Sequence, residues 1–147
     1  MRILTLLGPN LNLLGWISRS TGQRLTLDRL EKAVRAAANE LGAEVILAQL
    51  DNEVKASQLL ARNRSKIAGL LLVPGVWDQA GHQLQETVRI IGKPLALFHL
   101  LPEGGPWTAD GPSLFEDIAA VSASGVGASD LAALFTRFHA LLVQQGG

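Results

Sequence analysis

"RILTLLGPNLNLLGW", residues 2–16, is the stretch from which the fold is read. Ile3–Leu7 is a short, nearly unbroken apolar run. Gly8-Pro9 stops it, two asparagines follow at positions 10 and 12, and Gly15 comes next. An unbroken run, as opposed to an alternating one, marks a strand buried on both faces of a parallel sheet. The amides after it admit two readings. An asparagine presents a neutral donor and acceptor that suit a water or a ligand oxygen, and it also closes Asx-type turns. The residues alone leave both readings open for Asn10 and Asn12.

Three more runs of the same kind lie downstream, at Val45–Leu50, Gly69–Val73 and Leu95–Leu100, and a fifth strand is expected near Ile118–Val121. Helical spacing fills the intervals. Leu27, Leu30, Val34 and Leu41 share one face of a helix that ends at Gly42. Residues 52–66 and 78–91 read as two further helices, the latter with Leu84, Val88 and Ile91 on one face. Leu131, Leu134, Phe135, Phe138, Leu141 and Leu142 form a stripe behind a Ser129-Asp130 cap. Strand and helix alternate throughout, which predicts α/β architecture: a flavodoxin-like, doubly wound, five-stranded parallel sheet with helices on both faces. Residues 1–147 read as a single domain. Ligands of such sheets bind beyond the carboxyl ends of the strands. The loops to inspect are therefore 8–22, 51–53, 74–81 and 101–115.

Composition narrows the function. Apolar residues make up 48% of the chain, and 13 basic residues balance 13 acidic ones. A neutral surface argues against nucleic acid or an anionic membrane as partner. A chain this neutral and apolar is expected to associate with copies of itself. The absence of cysteine removes disulfides, thiolate nucleophiles and Cys-ligated metals. The three histidines, His82, His99 and His139, show no metal-ligand spacing, so no metal is expected. Neither Gly8-Pro9 nor Pro74-Gly75 is a phosphate-binding loop, and no cofactor is implied. No run approaches the roughly 20 apolar residues of a membrane span, the amino terminus lacks the pattern of a secretory leader, and a cytoplasmic location is the default.

Within the loops, His99 ends the fourth strand, where an imidazole titrating near neutrality can serve as general acid or base. The bland reading is a partly buried histidine bonded to backbone. His82 and His139 read as structural or surface residues. Arg19, Ser20, Thr21 and Gly22 form either a lid or a plain exposed loop. Trp16, Trp77 and Trp107, the only tryptophans, all fall in ligand-side loops. They suggest a pocket wall or a subunit interface.

The opening stretch resembles the amino-terminal signature of the type II 3-dehydroquinate dehydratases, close to ILxLNGPNLNLLG. "VPGVWDQAGHQLQET" (residues 73–87) is similar to that family's NPGAYTHTSxALRDA segment, and "KPLALFHL" (93–100) to its PxxEVHLS segment. The resemblance implies a flavodoxin-like sheet over essentially the whole chain, assembly as a trimer or a dodecamer of four trimers, and a small-molecule substrate. It also implies an anti elimination of water from 3-dehydroquinate through an enolate. In that family a lid tyrosine removes the proton and a lid arginine lowers its pKa. An asparagine holds the water that stabilises the enolate. A histidine, oriented by a glutamate two residues earlier, protonates the leaving hydroxyl.

On the matching positions, Asn12 corresponds to the water-holding asparagine, His99 to the general acid, and Arg19 to the lid arginine. By the same resemblance the substrate-binding positions are Val73, Gln79, Glu86, Leu100 and Leu101, and the tryptophan reading adds Trp16 and Trp77. Several positions depart from the pattern. The chain has no tyrosine, Leu7 and Val73 stand where the family has asparagine, and Leu97 replaces the orienting glutamate. Leu101-Pro102 replaces Ser-Asn, and a proline donates no backbone hydrogen bond. These changes predict a more apolar active site that binds or transforms a small ring compound other than 3-dehydroquinate. One alternative is an inactive homologue with a binding or assembly role. Another is a 3-dehydroquinate dehydratase, a lyase, that uses a substitute base.

Overall fold

The computed structural model describes residues 1–108 and 110–146. Five strands, β1 (Arg2–Leu7), β2 (Glu44–Gln49), β3 (Gly69–Val73), β4 (Leu95–Leu100) and β5 (Val121–Gly125), pair in parallel in the order β2-β1-β3-β4-β5. This is the flavodoxin-like order. The direction of winding reverses at β1, so the crevice between the carboxyl ends of β1 and β3 is the switch point.

Alternation along the strands feeds two cores. Ile3, Leu7, Leu71, Val73, Ala96, Phe98 and Leu100 point to one face, which α1 (Leu14–Ile17), α2 (Leu27–Leu41) and α6 (Ala128–Gly146) cover. Leu4, Leu6, Leu70, Leu72, Leu95 and Leu97 point to the other, under α3 (Glu53–Asn63), α4 (Trp77–Ala80) and α5 (His82–Ile91). Because β1, β3 and β4 are covered on both sides, their sequences are apolar without interruption. The α6 stripe places Leu131, Leu134, Phe135, Phe138 and Leu142 in the first core. Local signals set the helix ends. The Thr26 hydroxyl accepts from the Arg29 N–H at 3.2 Å, and the Asn52 side chain accepts from the Lys55 N–H at 3.1 Å, each satisfying a donor left free in the first turn.

Three expectations need correction. The fifth strand is Val121–Gly125 and not 118–121, since residues 116–118 form a 3₁₀ turn. As a half-exposed edge strand of small residues it has no apolar run to announce it. The second expected helix stops at Asn63, short of residue 66. The expected helix over 78–91 is two pieces, α4 and α5, divided at Gly81. A Cβ on Gly81 would lie 2.7 Å from the Trp77 carbonyl oxygen and 2.8 Å from the Trp77 Cβ, so the chain turns there against its own preceding turn. Among the described residues no helix is long and apolar enough to cross a membrane.

Candidate functional site

The carboxyl ends of β1 and β3 touch. The Gly8 N–H donates to the Val73 carbonyl at 2.8 Å, and a Cβ on Gly8 would lie 2.3 Å from the Pro74 oxygen. Only glycine permits that approach. Beyond it Asn10 takes a left-handed conformation (φ 67°), which asparagine tolerates better than most residues. Its N–H donates to Asp51 Oδ1 at 3.0 Å. Gln49 Nε2 donates to the same oxygen at 3.0 Å and to the Gly8 carbonyl at 3.0 Å. The Asn10 N–H, then Gln49, hold the Asp51 carboxyl below its ordinary value of 3.8. Asn10 therefore ties the first loop to the end of β2.

His99 lies near the end of β4, on the face shared with Leu97. Its Nε2 is 3.4 Å from Oδ2 of Asp78, with side-chain exposures of 20% and 14%. At that separation the pair is a charge contact without hydrogen-bond geometry, and Nε2 has no hydrogen-bond partner among the described residues. The other Asp78 oxygen, Oδ1, accepts a hydrogen bond from the Ser113 hydroxyl, and Ser113 Oγ accepts from the Phe115 N–H at 3.1 Å. The Asp78 carboxylate raises the pKa of His99 above its ordinary 6.5 against the opposing effect of burial. Burial also opposes ionisation of Asp78. The contacts with His99 and Ser113 and the His99 charge together outweigh it, and its pKa falls below 3.8. Near neutrality the pair thus holds a carboxylate beside a histidine inclined to keep its proton.

Asp78 stands at the junction of two clefts. The larger, about 580 Å³, is lined by Asp78, His99, Ser113, Glu116, Asp117 and the Gly111-Pro112 turn. The smaller, about 280 Å³, is lined by Asp78, Asn10, Gln79, Trp107, Thr108 and neighbouring backbone. A further small space of about 20 Å³ is lined by Asp78, His99, Leu101, Trp107 and neighbouring residues. These volumes suit a small molecule.

The other expected site residues are scattered. Asn12 is exposed on the 3₁₀ turn of residues 11–13, and it is Asn10 that lines the smaller cleft. Arg19 stacks on the Trp16 ring, 3.7 Å from its centroid, and donates to the Trp16 carbonyl at 2.6 Å. Both side chains face solvent. The segment around them is tied down: the Thr21 hydroxyl donates to the Gln23 carbonyl at 2.7 Å, and Gln23 Nε2 donates to the Val126 carbonyl at 2.7 Å. Trp77 is buried in the second core, whereas Trp107 forms cleft wall, so the three tryptophans have three different settings. Val73 and Leu100 are core residues, as are Leu7 and Leu97. The Leu101 N–H is used by the Gly125 carbonyl at 2.8 Å. Gln79 lines the smaller cleft and donates to the Asp110 carbonyl at 3.2 Å, and Glu86 is exposed on α5. The leucines and valine that suggested an apolar pocket are thus mainly core, and the larger cleft instead carries the charged side chains of Asp78, His99, Glu116 and Asp117 among its lining residues.

Sequence reasoning missed Asp78 and Ser113. Asp78 carried a usable signal, as the only carboxylate in the loop after β3, but its place at the head of a helical pattern masked it. Ser113 carried none, because its role depends on how the 101–115 loop folds back.

The family model for class II dehydroquinases matches residues 1–133. The chain is 34% identical over 100 residues to a 3-dehydroquinate dehydratase of Carboxydothermus hydrogenoformans, covering 68% of this chain and 65% of that one. It is 33% identical over 100 residues to one of Pelotomaculum thermopropionicum, covering 68% and 69%. The chain thus spans about two thirds of the length of the curated relatives it matches. Among solved structures, a type II dehydroquinase from Propionibacterium acnes superposes with a TM-score of 0.80 at 19% identity, covering 95% of this chain and 96% of that one. A 3-dehydroquinate dehydratase-like protein from Bifidobacterium longum superposes with a TM-score of 0.64 at 18% identity, covering 98% of each. At these identities the superpositions speak for the fold alone.

Proposed function

We propose that this chain, which belongs to the class II dehydroquinase family, is a lyase that removes water from a small hydroxylated ring ketone, with His99 as general acid. The observation that carries this reading is the Asp78–His99 contact at the wall of the larger cleft. A histidine whose pKa a neighbouring carboxylate raises is suited to hand a proton to a leaving hydroxyl, a contribution of roughly 10²- to 10⁴-fold in rate. The loss of the glutamate pattern at Leu97 does not leave His99 without a carboxylate, because Asp78 approaches it from α4. The relatives named above are 3-dehydroquinate dehydratases, so 3-dehydroquinate is the first substrate to test. Formation of conjugated enone from millimolar 3-dehydroquinate, abolished by His99→Ala, is the expected result. No enone from the wild-type chain would remove 3-dehydroquinate as substrate.

A second reading, a ring compound without a carboxylate, is favoured by the lining of the larger cleft. Among the described residues, Asp78, Glu116 and Asp117 line it with His99 as its only basic side chain, and such a wall repels an anion. Turnover of a neutral hydroxylated cyclic ketone in preference to 3-dehydroquinate would select it. Under either reading self-association, as a trimer or dodecamer, is part of the proposal. It is supported by Leu13, Trp16, Val54 and Val76, exposed in loops or first helical turns at the carboxyl end of the sheet. A monomeric mass by light scattering would count against it.

A further inference from the structure

We infer that Ser113 is a positioning residue: by holding Asp78 it turns the His99 imidazole so that Nε2 faces inward, and the proton that His99 gives up leaves from Nδ1. The inference rests on the dehydratase reading and assigns the atom through which the acid works. Two bonds aim the Ser113 hydroxyl. Its oxygen accepts from the Phe115 N–H at 3.1 Å, and its single proton goes to Oδ1 of Asp78. Two further contacts hold the segment itself. The Leu114 N–H donates to the Asp78 carbonyl at 2.8 Å, and Phe115 is fully buried in the same core as Trp77. Residues 113–115 are thus docked on α4 by backbone and by core packing, and the Ser113 hydroxyl carries that rigidity to the carboxylate. With Oδ1 occupied, the carboxylate plane is fixed and Oδ2 is presented to His99.

His99 Nε2 lies 3.4 Å from that oxygen, is sealed from solvent and has no hydrogen-bond partner among the described residues. A proton on Nε2 sits beside a negative charge in a partly buried site, where the attraction is less screened than in water. In the neutral ring a proton on Nε2 is therefore favoured over one on Nδ1, since the group that faces one nitrogen decides which of the two is protonated. A sealed Nε2 does not reach a ligand. The side chain is nevertheless 20% exposed and lines the larger cleft, and Nδ1 is the nitrogen left to meet a substrate there. The protonated ring then carries one proton held by Asp78 and one to give. In the acid step the leaving oxygen takes the Nδ1 proton together with both electrons of the C–O bond, and water departs. The ring is left neutral with its remaining proton on Nε2. That is the tautomer which the Asp78 charge favours, so the step ends without a rotation of the ring. Without the Ser113 hydroxyl the carboxylate turns about its own side-chain bonds, the ring loses its fixed neighbour, and the Nδ1–H tautomer gains a share.

The test compares wild type, Ser113→Ala and Ser113→Thr, each carrying isotope-labelled histidine. Long-range proton–nitrogen NMR of the imidazoles, recorded on the alkaline side of the His99 titration, reads the tautomer directly and needs no substrate. The His99 signals are those that vanish in His99→Gln. Wild type is expected to show Nε2–H, Ser113→Ala a mixture of both tautomers, and Ser113→Thr, which keeps the hydroxyl, a return to Nε2–H. Enone formation from 3-dehydroquinate is the second readout. In Ser113→Ala kcat should fall about 10- to 100-fold, the worth of a hydrogen bond to a charged group, with little change in KM, and Ser113→Thr should recover most of it. A role in stability alone would leave the tautomer of the folded protein unchanged. An Nδ1–H ring in wild type overturns the inference, and that measurement decides even where Ser113→Ala does not fold. A tautomer or a kcat that does not respond to Ser113→Ala also overturns it, and leaves the dehydratase reading standing. A wild type that forms no enone but shows Nε2–H dependent on Ser113 supports the positioning and overturns the dehydratase reading. An Nδ1–H ring without enone overturns both.

Discussion

Replacing Gly8 with alanine tests whether the meeting of β1 and β3 positions the site. The added Cβ would lie 2.3 Å from the Pro74 oxygen, 2.8 Å from the Pro74 carbonyl carbon and 3.0 Å from the Val73 oxygen. All three are backbone atoms, so no side chain can rotate away and the strands must part. Overpacking of this kind costs about 1–3 kcal/mol. Stretching the 2.8 Å bond from Gly8 N–H to the Val73 carbonyl adds about 0.5–1.5 kcal/mol. The expected loss is about 2–4 kcal/mol, and at 2–4 °C per kcal/mol for a chain near this size the melting temperature falls by about 4–16 °C. Pro74 also accepts the Trp77 N–H at 3.1 Å, opening the helical turn that carries Asp78, so turnover should fall together with stability. Urea unfolding of Gly8→Ala beside Gly22→Ala measures this. A Cβ on Gly22 would meet no atom within 4 Å, and its substitution should stay within about 0.5 kcal/mol. A Gly8→Ala loss no larger than that of Gly22→Ala would refute the close-approach argument.

Other expectations concern the core, a cap and the charge pair. Phe138→Ala removes a fully buried ring between α6 and the sheet and should cost about 3–5 kcal/mol in urea unfolding. Thr26→Ala deletes the acceptor at the start of α2 and should cost about 1 kcal/mol. His99, whose folded pKa is raised above 6.5, adds stability that is full below its unfolded value and is lost as pH rises through the folded one. Asp78, depressed below 3.8, adds stability present above its unfolded value and lost as pH falls through the folded one. Unfolding free energy should therefore decline on the alkaline side in wild type, and Asp78→Asn should flatten that decline. An unchanged slope in the variant would show that the pair does not couple in solution.

The central strands were legible because burial on both faces leaves a mark that local sequence records: Gly69–Val73 and Leu95–Leu100 are unbroken apolar runs and fall at the observed limits. β5 was misplaced because an edge strand of Val, Ser, Ala and Gly owes its position to pairing with Ala96–Leu100, a long-range contact. His99 was legible through its place at the end of an apolar run. Asp78 was not, since its distance to His99 depends on how the turn after β3 meets β4. Leu7, Val73 and Leu97 misled in the opposite sense. Family positions that would line a pocket are here core, and a one-dimensional match does not say which way a side chain faces.

The break at Gly81 has a consequence for how such a site can change over generations. Asp78 rides on a four-residue turn, separate from the helix that packs Leu84 and Val88 into the core. With Trp77 anchored in the core, the three residues after it can be exchanged without shifting the register of that helix. His99 is anchored by a strand and does not share this freedom. The imidazole is thus the fixed point, and the acidic partner is the interchangeable part. Selection for a new substrate has in residues 78–80, behind the buried Trp77 that anchors the turn, a small replaceable cassette whose alteration spares the core.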